Sequence, residues 1–246
     1  MKLLRDNGLS IMLLLASVLT IGGMFATGWI VHNEELAQHH NTPLSLLSYA
    51  TSGHFLSALF ENWESEFLQM SAYVVLTAFL FQKGSAESKD PDEQAPQDEA
   101  PKQRKHERNV PWAVKTGGVI RVIYSYSLGL ALFALFVASF LLHLRYSADA
   151  AAVTARMHGD PVATVFEQLE SAEFWFESLQ NWQSEFLSTA ILVILSIFLR
   201  FRRSPQSKPV AAPHNETGGS GRGSTSSEEE MQPFGYWLDL AHTAPP

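Results

Sequence analysis

The sequence predicts an all-α membrane protein with four transmembrane helices, arranged as two tandemly duplicated hairpins with amphipathic helices on the outer side. Two long uncharged runs, an internal repeat and an uneven distribution of basic residues lead to this prediction. Residues 9–31 contain no charge over 23 positions, and residues 122–142 contain none over 21. Each run matches the roughly 20 apolar residues that a helix needs to cross a hydrocarbon core.

The internal repeat supplies the second crossing of each hairpin. Residues 52–89 align with residues 171–208 without a gap, and 15 of the 38 pairs are identical. The sequence Asn-Trp-x-Ser-Glu-Phe-Leu occurs in both copies, at 62–68 and at 181–187. Repetition of this kind usually marks a duplicated structural unit. A shorter apolar run follows the motif in each copy, which gives four predicted crossings in total.

The chain divides into two repeats and two polar segments. Repeat 1 covers residues 1–83, a linker covers 84–118, repeat 2 covers 119–203 and a tail covers 204–246. The membrane helices are expected at about 9–31, 63–83, 120–144 and 181–202. The linker and the tail are rich in polar residues and proline, so they cannot bury enough apolar surface to offset chain entropy, and we predict that both are disordered.

Two terminal features leave alternatives open. The first apolar run has the basic start of a signal peptide, but its length and its counterpart in repeat 2 favour a retained helix. The tail ends in an aromatic cluster that we expect to touch the bilayer or the bundle, since aromatic residues favour interfaces. The alternative is a docking peptide for a partner. The residues of this cluster are Phe234, Tyr236, Trp237, Leu238 and Leu240.

The basic residues set the orientation. Of the 17 Lys and Arg residues, 15 lie before the first helix, in and around the linker, or in the tail. By the positive-inside rule, both termini and the linker are cytoplasmic. The expected partners are the lipid bilayer and, as an open alternative, further copies of the chain. Basic and acidic residues alternate in the linker, which argues against nucleic-acid binding.

The segment before each motif has helical periodicity. In the first copy, apolar residues fall at Phe55, Leu59, Trp63 and Phe67, in steps of four. This spacing predicts an amphipathic helix near the outer surface that continues into the membrane crossing. Trp63 and Trp182 are then expected to anchor the helices at the level of the lipid headgroups.

The repeated motif has a structural and a functional interpretation. Structurally, Asn62 and Asn181 cap helices, and the acids that follow suit the positive end of the helix dipole. Functionally, an axis along the membrane normal would bring Glu66 and Glu185 to equivalent places. An ionisable residue at this depth normally faces the bundle interior, so the motif could line an outward-facing polar cleft for a cation or proton. The residues of this candidate cleft are Asn62, Ser65, Glu66, Asn181, Ser184 and Glu185.

Other chemistry has little support in the sequence. The absence of cysteine removes disulfides, thiolate metal sites and cysteine nucleophiles. No nucleophile–base constellation is visible, so the chain is not expected to be an enzyme, and no cofactor or metal site is expected. An outward group of His32, His39, His40 and His54 could bind zinc or copper. A solvated loop is favoured, because the spacing does not show convergent ligand geometry.

The motif residues resemble those of a bacterial family of small multi-pass inner-membrane proteins whose function is unassigned. The resemblance is carried by residues 62–69 and 84–89 and by the second copy at 181–187, where Gln183 replaces Glu64. It implies an inner-membrane location and no particular activity.

Two functions remain as hypotheses from the sequence. The first is a non-enzymatic integral membrane protein, structural or stress-associated, that acts through helix packing and contact with a protein partner yet to be identified. The alternative is a small oligomeric transporter or channel for a cation or proton, which uses the paired Glu66 and Glu185.

Overall fold

The computed structural model describes residues 2–92, 95–103 and 107–218, and these residues form helices and turns without a strand. The α-helices are α1 (Lys2–Gln38), α2 (Leu46–Ala50), α3 (Gly53–Phe79), α4 (Trp112–Thr116), α5 (Gly118–Ser125), α6 (Ser127–His158), α7 (Val165–Glu170) and α8 (Ala172–Phe198). The predicted all-α fold class is therefore confirmed. The aromatic cluster at residues 234–240 lies outside the described residues.

Three of the described helices are long and apolar enough to cross a membrane, and they identify a membrane protein. These are α1, α6 and α8, with 37, 32 and 27 residues and mean hydropathies of 2.2, 2.2 and 1.2 over their most apolar stretches. The prediction of four such helices is not met, because α3 falls short of this criterion. Its motif residues Asn62, Glu64 and Glu66 lower the mean hydropathy of a helix that has the same length as α8.

Helices α3 and α8 begin with the same capping bond. The Ser52 hydroxyl accepts a hydrogen bond from the backbone N–H of Phe55 at 3.2 Å. The Ser171 hydroxyl accepts one from the N–H of Phe174, also at 3.2 Å. Serine is a preferred capping residue because its oxygen satisfies a backbone N–H that lacks a partner at the start of a helix.

The hypothesis that the motif asparagines cap helices is therefore wrong. Asn62 and Asn181 each lie in the second or third turn of a helix that is already formed. The Asn62 Nδ2 donates to the carbonyl of Ala58 at 2.7 Å, within the same helix. In the first copy the amphipathic segment and the apolar run form one continuous helix, α3. In the second copy the amphipathic segment that begins at Val165 divides at Ser171 into α7 and α8, and α8 then continues through the motif. No helix end therefore exists at the motif in either copy.

The helices pack around α3. This helix lies along α6 over most of its length and touches α8 over a shorter stretch. The contact with α6 begins at Gly53, where an added Cβ atom would lie 2.6 Å from the backbone nitrogen of Ala150. Helix α1 joins the bundle through its C-terminal half, where Phe25 meets Phe55 edge to face at 5.1 Å. The N-terminal half of α1 exposes its apolar side chains, as a helix in contact with lipid would.

The described parts of the predicted linker and tail are bonded to the end of the bundle. After α3, the Ser85 hydroxyl lies 2.8 Å from the hydroxyl of Ser196 on α8. After α8, the buried Lys208 ammonium donates to the backbone carbonyls of Pro213, His214 and Glu216 at 2.9–3.2 Å. Burial of this ammonium, with a smaller contribution from the Arg200 charge, lowers the pKa of Lys208. Both segments thus begin with ordered, hydrogen-bonded turns next to α8.

The two turns also share a bond at matching positions. The backbone N–H of Gln82 donates to the Ser88 hydroxyl at 2.9 Å, and that of Phe201 donates to the Ser207 hydroxyl at the same distance. Both serines are identical in the aligned repeat. The local structure after the second helix of each copy is therefore fixed by the residues that the copies have in common.

Candidate functional site

A buried polar centre lies where α3, α6 and α8 meet. The side chains of Glu64 on α3 and His143 on α6 are both fully buried, with 0% of their surface exposed. The His143 Nδ1 is 2.7 Å from Oε2 of Glu64, and the indole N–H of Trp182 donates to the other oxygen, Oε1, at 2.8 Å. A buried carboxylate is tolerated only with such partners. These three residues form the inner part of the centre.

Two further carboxylates form its outer part. Glu177 and Glu61 face the second ring nitrogen of His143, and the Asn181 amide donates a hydrogen bond to Glu61. The ligand atoms of Glu61, His143 and Glu177 all lie within 4.8 Å of one another. The side chain of Glu177 is 36% exposed, and Glu61 is half-buried. The centre is therefore open on the Glu61 and Glu177 side and closed on the Glu64 side.

Helical spacing explains why these side chains meet. Glu61 and Glu64 are three residues apart on α3, and Glu177 and Asn181 are four residues apart on α8. Residues at these separations lie on the same face of a helix. His143 follows the long apolar run of α6. Its imidazole contacts the face of α3 that carries both acids. Three helices thus contribute to one centre.

Two atoms of the centre lack a partner. The Nε2 of His143 and the Oε2 of Glu177 are buried, and neither forms a hydrogen bond with any residue that the structure describes. They lie 3.7 Å from each other, which is too long for a hydrogen bond between nitrogen and oxygen. Buried polar atoms without partners are rare in native proteins, so this pair points to a group that binds between them.

Aromatic rings enclose the inner part of the centre. The fully buried Phe174 packs on the His143 ring with a centroid distance of 4.8 Å. Trp175 meets Trp182 edge to face at 6.2 Å, and Phe136 contacts Trp182 at 6.1 Å. Such surroundings keep out water and strengthen electrostatic interactions within the centre.

The charges of the centre are not balanced by basic residues. Glu61, Glu64 and Glu177 surround a single imidazole, and in the described ranges no Lys or Arg side chain forms an ion pair with any of the three. Like charges so close together repel each other strongly where the dielectric constant is low. The centre can be neutralised by protons or by a bound cation.

The predicted carboxylates lie beside this centre and not within it. Glu66 is exposed and Glu185 is half-buried, and the two are close enough to interact electrostatically. They lie on adjacent helices, α3 and α8. The structure therefore brings the two repeated acids near each other, while the enclosed carboxylate of the motif is Glu64.

The predicted amide and hydroxyl groups are divided between the centre and the surface. Asn181 belongs to the centre through Glu61, whereas Asn62 is exposed. Ser65 is buried and Ser184 is exposed, and each hydroxyl donates to the backbone carbonyl of the motif asparagine three residues earlier, at 2.9 and 2.8 Å. These bonds leave neither hydroxyl directed at the acids.

The two predicted interface anchors differ in their surroundings. Trp63 is 39% exposed on the surface of α3, as an anchor residue would be. Trp182 is half-buried and uses its indole N–H on the Glu64 carboxylate. The tryptophan of the second copy therefore contacts the centre as well as the surface.

Sequence reasoning missed four residues of the centre, namely Glu61, Glu64, His143 and Glu177. The differences between the two copies could have indicated two of these residues. Position 64 aligns with Gln183, and position 143 aligns with Met24 under the same spacing of 119. The ionisable groups of the centre occur where the two copies differ, whereas the search concentrated on residues that both copies share.

Three of the four histidines that the sequence grouped together, His32, His39 and His54, form ring contacts away from the centre. His32 stacks on His54 at 4.5 Å, and the Nδ1 of His54 is 3.0 Å from the Tyr49 hydroxyl. His39 packs against His158 from the second copy at 5.0 Å. Among the described residues, one group of three side chains has convergent ligand atoms, and it contains none of these histidines.

Comparison with known proteins identifies the family. No curated protein and no solved structure matches the chain. One family model, described as a domain of unknown function (DUF6766), matches residues 1–219, which include both copies of the repeat and the whole polar centre. The resemblance to a family of unassigned function is thus confirmed, and the chain belongs to the DUF6766 family.

Proposed function

We propose that the protein is a non-enzymatic integral membrane protein with four crossings, built as two duplicated hairpins with both termini in the cytoplasm. Its function is to bind a cation that enters the polar centre from the outer side of the inner membrane. One observation carries this proposal. The unpartnered Nε2 of the buried His143 faces the carboxylates of Glu61 and Glu177, on the side where the centre is open.

The packing of α3 supports a fourth crossing. Its 27 residues give a length of about 40 Å, which exceeds a hydrocarbon core of about 30 Å. Four of its polar side chains are buried, namely Ser57, Glu64, Ser65 and Ser71. The surface left for lipid is therefore more apolar than the composition of the helix suggests. The shared capping bonds support descent of α3 and α8 from one duplicated unit.

The distribution of basic residues also supports four membrane crossings. With three crossings, the eight basic residues from Lys83 to Arg121 and the five from Arg200 to Arg222 would lie on the side opposite the N-terminus. With four crossings, all of them lie on the same side as the N-terminus. The positive-inside rule favours the second arrangement.

Accessibility labelling distinguishes the two arrangements. The chain has no cysteine, so single cysteines can be introduced at the exposed positions Asn41, Asp92 and Asp160 without other changes. In intact cells, a membrane-impermeant maleimide is expected to label Asn41→Cys and Asp160→Cys, and to label Asp92→Cys only after permeabilisation. Equal labelling at positions 41 and 92 in intact cells would contradict the fourth crossing.

Cation binding is tested by thermal stability. A ligand at 100 times its Kd adds about 2.7 kcal/mol, which corresponds to a rise in Tm on the order of 5–10 °C for a chain of this size. We expect at least one cation, including protons, to raise the Tm of the purified chain in detergent. Glu177→Gln should abolish the rise, and Glu173→Gln, an exposed acid one turn earlier on α8, should retain it. The absence of any stabilising cation would contradict the proposal.

A second candidate is favoured by the proximity of Glu66 and Glu185, namely oligomeric transport of a cation or proton through these acids. Glu66→Gln separates the two ideas. A loss of cation flux into proteoliposomes, with cation-dependent Tm unchanged, would favour Glu66 and Glu185 as the site.

A further inference from the structure

We propose that the cation is a divalent transition-metal ion, held by the Nε2 of His143 and by the carboxylates of Glu61 and Glu177. This inference rests on the proposed function, since it names the cation class of the same centre. The sequence indicated no metal site, because the three ligands come from three helices and are separated by 82 and 34 positions.

The first argument concerns the tautomer of His143. A carboxylate only accepts hydrogen bonds, so the 2.7 Å contact with Glu64 Oε2 places a proton on the His143 Nδ1. The lone pair of a neutral imidazole is then on Nε2, directed at Glu61 and Glu177. Trp182 fixes the Glu64 carboxylate through its other oxygen. Metal-binding histidines are oriented in this way, with a carboxylate behind the ring that also raises the basicity of the ligand nitrogen.

The second argument concerns the atoms without partners. His143 is fully buried, and its Nε2 and the Glu177 Oε2 are both unsatisfied. A metal ion that coordinates both would satisfy each of them. A divalent ion would also offset two of the three carboxylate charges around His143. Among the described residues, no Lys or Arg side chain forms an ion pair with these carboxylates.

The third argument concerns distance. Two ligand atoms at about 2.1 Å from an ion in tetrahedral geometry are about 3.4 Å apart. The observed separation of His143 Nε2 and Glu177 Oε2 is 3.7 Å, and the Glu61 oxygen lies within 4.8 Å of both. Glu61 is half-buried at the open edge of the centre. Asn181 engages one of its oxygens and leaves the other for the ion.

The ligand set limits the class of metal. One imidazole nitrogen and two carboxylate oxygens suit Zn²⁺, Fe²⁺, Mn²⁺ or Co²⁺. Magnesium and calcium ions prefer oxygen ligands throughout. Three protein ligands also leave a fourth position for water on the exposed side, as in zinc sites that exchange ligands.

Direct binding of Co²⁺ and Zn²⁺ tests this site. The full chain, without a histidine tag, is purified in detergent, stripped with a chelator and titrated with Co²⁺. We expect one Co²⁺ per chain, visible absorption bands of a tetrahedral site, and displacement of Co²⁺ by Zn²⁺. His143→Gln and Glu177→Gln should each weaken binding at least tenfold. The controls are His158→Gln and Glu173→Gln, which change exposed residues of α6 and α8.

The possible outcomes are distinct. If wild-type protein binds neither Co²⁺ nor Zn²⁺ stoichiometrically, the metal assignment is overturned, while stabilisation by protons or monovalent cations would leave the proposed function standing. Equal binding by wild type and His143→Gln would also overturn it. Should His143→Gln fail to fold, Glu177→Gln decides, because that side chain is partly exposed and its Oε2 forms no hydrogen bond within the described ranges.

Discussion

Replacement of Glu64 by leucine is expected to lower the free energy of unfolding by about 2–6 kcal/mol, since each of two buried donors that lose their acceptor costs about 1–3 kcal/mol. The change leaves the Nδ1 of His143 and the indole N–H of Trp182 buried without an acceptor. The measurement is denaturant-induced unfolding in mixed micelles, followed by circular dichroism. Glu66→Leu is the matched control. Its side chain is exposed on the same helix, and its replacement should change stability by less than about 0.5 kcal/mol.

The double variant Glu64→Leu/His143→Leu shows whether the two groups act as a pair. Removal of both ionisable groups leaves only the Trp182 N–H without a partner, so the cost should be smaller than the costs of the two single variants added together, by at least about 1 kcal/mol. Strictly additive costs would mean that the 2.7 Å contact between these residues does not stabilise the fold.

The change Gly53→Ala is expected to destabilise the bundle by about 1–3 kcal/mol, the usual range for overpacking. The added Cβ would lie 2.6 Å from the nitrogen of Ala150 and 2.9 Å from the carbonyl carbon of Asp149. Both are backbone atoms of α6, so no side chain can rotate away and the helices must separate. Thermal unfolding of the purified chain measures the effect.

Gly23 provides the control position for this change. Gly23→Ala lies in the middle of α1, where an added Cβ meets no atom within 4 Å, so it should be neutral or slightly stabilising. The second copy already carries Ala172 at the position that matches Gly53. If Gly53→Ala were as stable as Gly23→Ala, α3 and α6 could not be packed as closely as described.

The helical class follows from the sequence, but the rotation of each helix does not. Glu64 and Glu66 are two residues apart, which places them about 200° apart around an α-helix. Only one of them can face the interior of the bundle. The repetition of Glu66 in the second copy favoured that residue, whereas the packing of α3 against α6 buries Glu64. A pattern of three- and four-residue steps defines an apolar face, and it does not specify which polar residue lies at its border.

The sequence also did not indicate His143 as the partner of Glu64, because the apolar pattern does not specify how helices face each other. His143 belongs to an apolar run 79 positions later, and nothing local to either residue indicates their contact. Local features could be predicted from the sequence. The periodicity that begins at Phe55 predicted a helix that runs into the apolar stretch, and α3 is continuous from Gly53 to Phe79. The capping residues were not predicted from the sequence, because Ser52 lies three residues before the first periodic position, Phe55, and Ser171 lies within the periodic segment of the second copy.

The centre is present once in a chain that contains its repeat twice. Repeat 1 supplies Glu64 and repeat 2 supplies His143, whereas the matching positions, Gln183 in repeat 2 and Met24 in repeat 1, carry no charge. An assembly of two identical hairpins would have to place the same acids and imidazole at both interfaces, and so bury twice the charge in an apolar medium. In a single polypeptide the two repeats can differ at matching positions, so the acid and the imidazole occur at one set of these positions and uncharged side chains occur at the other.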